Sequence, residues 1–152
     1  NDDEKFQKLV DASDVLSTAG GATSLSQIAA IAAMEETQEW RAAFLKHITK
    51  NRDYAVAFIN EHIPGLHAYR PQATFLLYVD TRELHVTGAE FVEFLKEEVQ
   101  LAIVPGGHQY FGDESEGHVR ICLATSMEIL SEGLNRLKKG VEMLIERRTQ
   151  HA

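Results

Sequence analysis

The chain has 152 residues, 44% hydrophobic and 25% charged, which suits a globular domain with a buried core. Its 15 Lys and Arg against 23 Asp and Glu give a formal net charge of -8, and no basic run exceeds a pair, so no nucleic-acid partner is expected. The single cysteine, Cys122, forms no internal disulfide framework and suits a cytoplasmic setting, and neither a membrane-spanning apolar stretch nor a secretory leader pattern occurs.

Residues 2–16 are acid-first, with Asp2, Asp3 and Glu4 placed favourably for a helix dipole, and are expected to form a short helix. A loop through Gly20 and Gly21 follows, and Ser24-Leu25-Ser26-Gln27 fits a capping box that opens the next helix. Over residues 28–63, Ile28, Ile31, Trp40, Phe44, Ile48, Val56 and Ile59 recur at helical spacings. One rod of that length would reach about 50 Å, so a break is expected at Glu35-Glu36-Thr37-Gln38, with Thr37 capping the second helix. Pro64 and Gly65 close it.

The period then changes. Phe75, Leu77 and Val79 alternate with Leu76 and Tyr78, a strand apolar on both sides. Thr87-Gly88-Ala89-Glu90 is a second capping box, opening a helix with Phe91, Val92, Phe94 and Leu95 on one face. Residues 101–104 read as a short strand stopped by Pro105-Gly106-Gly107, and residues 118–123 as a longer one. Thr125-Ser126-Met127-Glu128 is a third box, after which Leu130, Leu134, Leu137, Val141 and Leu144 follow at steps of three and four, with Arg147 and Arg148 suited to the closing dipole. The expected fold is α+β, a small antiparallel or mixed sheet packed against helices.

Arg120 is the residue that stands out. Strand alternation places it on one face with His118 and Cys122, between the apolar neighbours Val119 and Ile121. A guanidinium there requires either an anion, which its planar fork would grip as a carboxylate clamp, or a solvent-facing edge; the residues alone leave both readings open. Just ahead of it, Pro105-Gly106-Gly107-His108-Gln109-Tyr110-Phe111-Gly112 reads either as a mobile cover or as a plain long turn. The seven histidines are scattered without a metal-ligand spacing, so no metal site is expected, and Cys122 is expected to be buried and inert.

Read together, Val104-Pro105-Gly106-Gly107, Phe111-Gly112, Gly117-His118-Val119-Arg120 and Leu134-Asn135-Arg136-Leu137 resemble the C-terminal signature of class I/II aminotransferases, fold type I enzymes dependent on pyridoxal phosphate (PLP). Pro71-Gln72-Ala73 leading to Val79-Asp80 is similar to a small-domain strand of that family, with alanine where glycine is usual. Trp40 and His62-Ile63-Pro64-Gly65 resemble the branch that holds cystathionine β-lyases. The resemblance implies that residues 1–36 are the tail of a large PLP-binding domain with its connecting helix, and that residues 37–152 are the C-terminal small domain. The opening Asn1, in place of methionine, agrees with a trimmed product or a piece of a longer chain.

The same resemblance implies that Arg120 grips the α-carboxylate of an amino-acid substrate, that Tyr110 and Phe111 close beside it, and that Ser24 and Ser26 lie near the cofactor phosphate or a dimer interface. The family's cofactor-bearing lysine has no counterpart here, since none of Lys5, Lys8, Lys46, Lys50, Lys96, Lys138 and Lys139 stands in its context. The implied function is the small domain of a PLP-dependent aminotransferase, inactive alone, from a parent that is a homodimer. The alternatives are a fragment of a carbon–sulfur β-lyase, or a free-standing binding or regulatory module without catalysis. An exposed apolar patch is expected on the first two helices, which the missing large domain would cover.

Overall fold

The computed structural model describes residues 3–13 and 23–151. The loop expected through Gly20 and Gly21 lies outside them. Two compact units are present, Asn1–Ala43 and Phe44–Ala152.

In the first unit, α1 (Asp3–Ser13) carries the i,i+4 pair Lys8–Glu4 at 2.8 Å. Helix α2 (Ser24–Glu35) starts one residue earlier than the expected box: Thr23, in extended conformation, is the cap, and its hydroxyl accepts from the Ser26 amide. The Ser24–Gln27 box is therefore not formed. No residue of α2 is buried, and Leu25, Ile28, Ile31 and Met34 are all more than half exposed. The expected apolar patch is thus present on α2. The break between the two helices falls where expected, and the Thr37 hydroxyl donates to the Ala33 carbonyl, 2.6 Å away, just ahead of α3 (Gln38–His62).

In the second unit α3 buries Ile48, Asn51, Ala55 and Ile59. Gly65, at φ 78°, turns the chain after α3, and a Cβ there would meet Leu84. Four strands follow in an antiparallel sheet of order β1-β2-β4-β3: β1 (His67–Tyr69), β2 (Leu76–Asp80), β3 (Val104–Pro105) and β4 (His118–Cys122). The sheet is wholly antiparallel and the class is α+β, as expected. The three-residue β1 has no clear sequence signal, and the strand expected at residues 101–104 shortens to β3, the part that pairs with Arg120 and Val119.

Alternation divides the sheet into two faces. Ala68, Leu77, Val79, Val119 and Ile121 enter the core with Phe91, Leu95 and Val99 of α4 (Gly88–Val99) and with Leu130, Leu134, Leu137 and Val141 of α5 (Met127–His151). Burying each of the Val, Leu, Ile and Phe side chains among these contributes about 1.5–3 kcal/mol. The other face presents Leu76, Tyr78, Asp80, His118, Arg120 and Cys122, and none of these is in the core. Cys122, expected to be buried, is exposed, because it shares the face of Arg120.

The capping box at Thr87 forms in full: the Thr87 hydroxyl accepts from the Glu90 amide, and the Glu90 carboxylate accepts from the Thr87 amide. The third box shifts by one residue. Ser126, not Thr125, receives an α5 amide, that of Ile129. Asn51, fully buried, ties α3 to the end of the Arg120 strand by donating to the carbonyls of Leu123 at 2.9 Å and Thr125 at 2.8 Å.

Candidate functional site

Register on the non-core face sets Arg120 of β4 opposite Tyr78 of β2 on one side and Val104 of β3 on the other. The next row carries His118 opposite Asp80, which faces His67 of β1. The His118 ring stacks on Tyr78, with centroids 4.7 Å apart and planes inclined by 11°. Burial pushes the Tyr78 hydroxyl above the ordinary phenol range.

Asp80 is the carboxylate of this face, and it is already engaged. It accepts from the Arg82 side chain at 2.5–3.1 Å and from the Arg82 amide at 3.0 Å, and the His118 Nε2 stands 3.9 Å away. The Arg82 guanidinium beside it holds the Asp80 carboxyl well below the usual carboxylate range. Arg120 is partly buried and pairs with no carboxylate among the described residues. Its guanidinium carbon lies 4.9 Å from the centroid of the Phe111 ring, over its face. A partly desolvated cation with an unused fork of donors can receive a carboxylate.

The loop that delivers Phe111 is pinned at several points. Gly106 donates its amide to the His118 carbonyl at 2.7 Å, and a Cβ on Gly106 would come within 1.9 Å of the Ser115 carbonyl oxygen, so only glycine fits. Gly107 bridges to Gly112, and the amides of Tyr110 and Phe111 both donate to the Gly107 carbonyl. Ser115, which is buried, accepts from the Gly107 amide and donates to the Gly112 carbonyl, each at 2.7 Å. Gly112 has φ 87° and ψ 165°, a region open essentially to glycine alone. These bonds tie the loop to itself and to β4. Tyr110 and Phe111 project from it, both about half exposed.

The structure brings Arg120 and Phe111 together, with Tyr110 next in line at 6.4 Å between ring centroids. Ser24 and Ser26 lie in the first unit, both exposed, and the Ser26 hydroxyl stands 3.0 Å from that of Thr23. Sequence reasoning missed Tyr78 and Ser115. The alternation of β2 places Tyr78 with Asp80, but its position opposite Arg120 depends on a register that no local pattern encodes. A cleft of about 280 Å³ opens between residues 101–104, the end of β4 and α5, lined by Leu101, Ile103, Val104, Arg120, Cys122 and Ile129 among others. Among the described residues no group of three or more His, Cys, Asp or Glu could hold a metal ion, and no helix is long and apolar enough to cross a membrane.

The chain matches no protein-family model. It is 31% identical over 125 residues to an aspartate aminotransferase from Pyrococcus horikoshii, a match that covers 81% of this chain and 31% of that enzyme. Its fold is similar to that of cystalysin from Treponema denticola, which contains PLP, with a TM-score of 0.73 and 28% identity over 85% of this chain and 32% of that one. It is also similar to a PLP-bound carbon–sulfur lyase from Staphylococcus hominis, with a TM-score of 0.70 and 25% identity over 84% of this chain and 34% of that one. The chain thus spans about a third of the length of the curated relatives it matches.

PLP is the cofactor of that family, and the residues described here do not fit it as a complete site. A cofactor lysine must stand beside the substrate site, whereas Lys5, Lys8, Lys46, Lys50, Lys96 and Lys139 are exposed, Lys138 is 41% exposed along its side chain, and no lysine lines the cleft beside Arg120. What the chain does share with these enzymes is sequence along most of its length and an α+β fold. By these likenesses the chain belongs to the fold type I PLP-dependent aminotransferases and carbon–sulfur lyases.

Proposed function

We propose that the chain is the C-terminal small domain of a PLP-dependent aminotransferase, in which Arg120 holds the α-carboxylate of the amino-acid substrate. The observation that carries this reading is an arginine on a sheet face where the carboxylate contributed by β2, Asp80, is taken up by Arg82 and His118. Tyr110 and Phe111 would flank the carboxylate on the loop side. Residues 1–36 would belong to the tail of the cofactor-binding domain and its connecting helix, residues 37–152 to the small domain, and Ser24 and Ser26 to the side of the cofactor phosphate or of a subunit interface in a homodimer. The chain alone would be inactive, because its lysines are surface groups on helices.

In this reading the chain's share of the reaction is orientation. Two parallel N–H donors fix a carboxylate in a plane and so place the adjacent carbon, leaving rotation about the bond between them to be set by other groups. PLP, when bound by the whole enzyme, supplies the electron sink; nothing in this chain replaces it. A carbon–sulfur β-lyase is the second reading, favoured by the likeness to cystalysin and to the lyase from Staphylococcus hominis. The carboxylate clamp would serve either reaction equally.

The test is Arg120→Met in the full-length enzyme. Hydrogen bonds to a charged group contribute about 1.5–3 kcal/mol, so the apparent affinity for the amino acid is expected to fall roughly 10- to 100-fold, with the unfolding midpoint unchanged. Unchanged affinity would overturn the reading and leave a free-standing binding module as the better description. Inactivity of the isolated chain is checked by borohydride reduction in the presence of PLP: labelling should scatter over surface lysines, and stoichiometric fixation to one lysine would contradict it.

A further inference from the structure

We propose that Phe111 is a positioning residue that acts through Arg120: its ring is a shelf that holds the guanidinium ready for a carboxylate, and the buried Ser115 hydroxyl keeps that shelf in place. This rests on the reading of Arg120 as the carboxylate clamp and gives Phe111 a role through the arginine in addition to its place beside the carboxylate.

An arginine side chain has many rotamers, and ordering it costs free energy each time it binds. Such residues are commonly pre-ordered by an acidic neighbour, but an acid would occupy the donors that a ligand needs. Among the described residues no acid pairs with Arg120, and its guanidinium lies over the Phe111 ring at 4.9 Å. A ring face attracts the cation while offering no oxygen acceptor, so the fork of N–H donors stays available. Tyr78 and Val104, the cross-strand neighbours, likewise bring no charge.

A shelf helps only if it is itself fixed, and an aromatic 44% exposed on a loop is not held by burial. Here the backbone does it. The Phe111 amide donates to the Gly107 carbonyl at 3.0 Å, Gly107 pairs with Gly112, and the Ser115 hydroxyl joins the two ends of that turn through the Gly107 amide and the Gly112 carbonyl. Ser115 is 6% exposed and ties the turn through these two bonds, and its side chain also lies against that of Tyr78, the cross-strand neighbour of Arg120.

The experiment uses the 152-residue chain, isotope-labelled, with propionate as the carboxylate probe. Two quantities are read: the ring-current displacement of the Arg120 Nε–H resonance without ligand, and the dissociation constant for propionate. Phe111→Leu is expected to abolish the displacement and to weaken propionate about 2- to 5-fold, the size of one exposed cation–π contact. Phe111→Trp should restore both, and Ser115→Ala should reduce both while keeping the ring. Since Phe111 is exposed, the amide spectrum outside the loop should be unchanged in the Leu variant. The inference is overturned if Phe111→Leu leaves both quantities at their original values while Arg120→Met abolishes binding. If Arg120→Met binds propionate as well as the original chain, the carboxylate reading itself fails, an outcome distinct from failure of the shelf alone.

Discussion

Two residues show how much a single side chain or its absence decides. The Asp80 carboxyl is held well below its ordinary range, first by hydrogen bonds from the Arg82 side chain and then by the Arg82 amide and nearby charges. A depressed carboxyl contributes stability above its unfolded pKa of about 3.9, and that stability is lost as the pH falls from there through the lowered value in the folded state. Because Arg82 is 64% exposed along its side chain, screening limits the gain to about 1 kcal/mol. Asp80→Asn should therefore cost about that much in urea unfolding at neutral pH and match the original chain in strong acid; a gap that persists in acid would mean that the pair is not the cause. Gly106 decides by absence. With a Cβ 1.9 Å from a carbonyl oxygen of the backbone, nothing flexible can move aside. Gly106→Ala should lower stability by about 3 kcal/mol, or displace the 105–115 turn enough to abolish the Arg120–Phe111 contact. Chemical denaturation and the Arg120 side-chain resonance distinguish the two outcomes, and an unperturbed variant would refute both.

Elements differ in how far the sequence announces them. The box at Thr87 is legible because both of its bonds join residues three apart, so the pattern contains its own geometry. Thr87→Ala should cost about 1 kcal/mol, measured by thermal unfolding, and no loss would mean that the helix start is held by packing alone. At Thr23 and Ser126 the cap falls one residue away from the expected position, since adjacent hydroxyls compete and the entry angle of the chain, set by the rest of the fold, selects the winner. The sheet is less legible still. Residues 67–69 pair with residues 78–80, and residues 104–105 with residues 119–120, contacts that no local period encodes. Alternation does reveal that Arg120, His118 and Cys122 share a face, so the exposure of Cys122 could have been read from the sequence; that the ring beneath Arg120 is Phe111 could not, because it depends on Ser115 closing a turn. The close packing of α4 on α5 has the same character. Gly140 admits Leu95, whose Cδ2 would lie 2.4 Å from a Cβ there, and Leu95 is fully buried. Alanine gains about 1 kcal/mol in helix propensity over glycine but overpacks by about 1–3 kcal/mol, so Gly140→Ala should be net destabilising by up to about 2 kcal/mol in urea unfolding, and stabilisation would show that Leu95 has room to turn.

On the scale of the whole molecule, apolar side chains are distributed unevenly between the two units. Every residue of the main core cluster lies between Ala55 and Val141, within the second unit, whereas α2 has no buried residue and keeps Leu25, Ile28, Ile31 and Met34 in solvent. Apolar surface that a helix cannot bury within its own chain drives association once water is the only alternative. A chain that spans a third of its relatives would leave such a surface bare if the remainder of the enzyme covers it there. Two consequences separate this account from one in which the first unit supports the fold. Residues 38–152 alone, which keep α3 whole, should unfold cooperatively with a midpoint within about 4 °C of the full chain, since the core is retained. Sedimentation velocity should show the full chain associating and residues 38–152 monomeric, with the double variant Ile28→Glu and Ile31→Glu of the full chain matching the shorter form. If the midpoint drops by tens of degrees on truncation, the first unit contributes to stability in a way that its exposed residues conceal; if the double variant still associates, the contact surface lies elsewhere, and the bare cleft beside Leu101 and Ile129 becomes the next apolar surface to substitute.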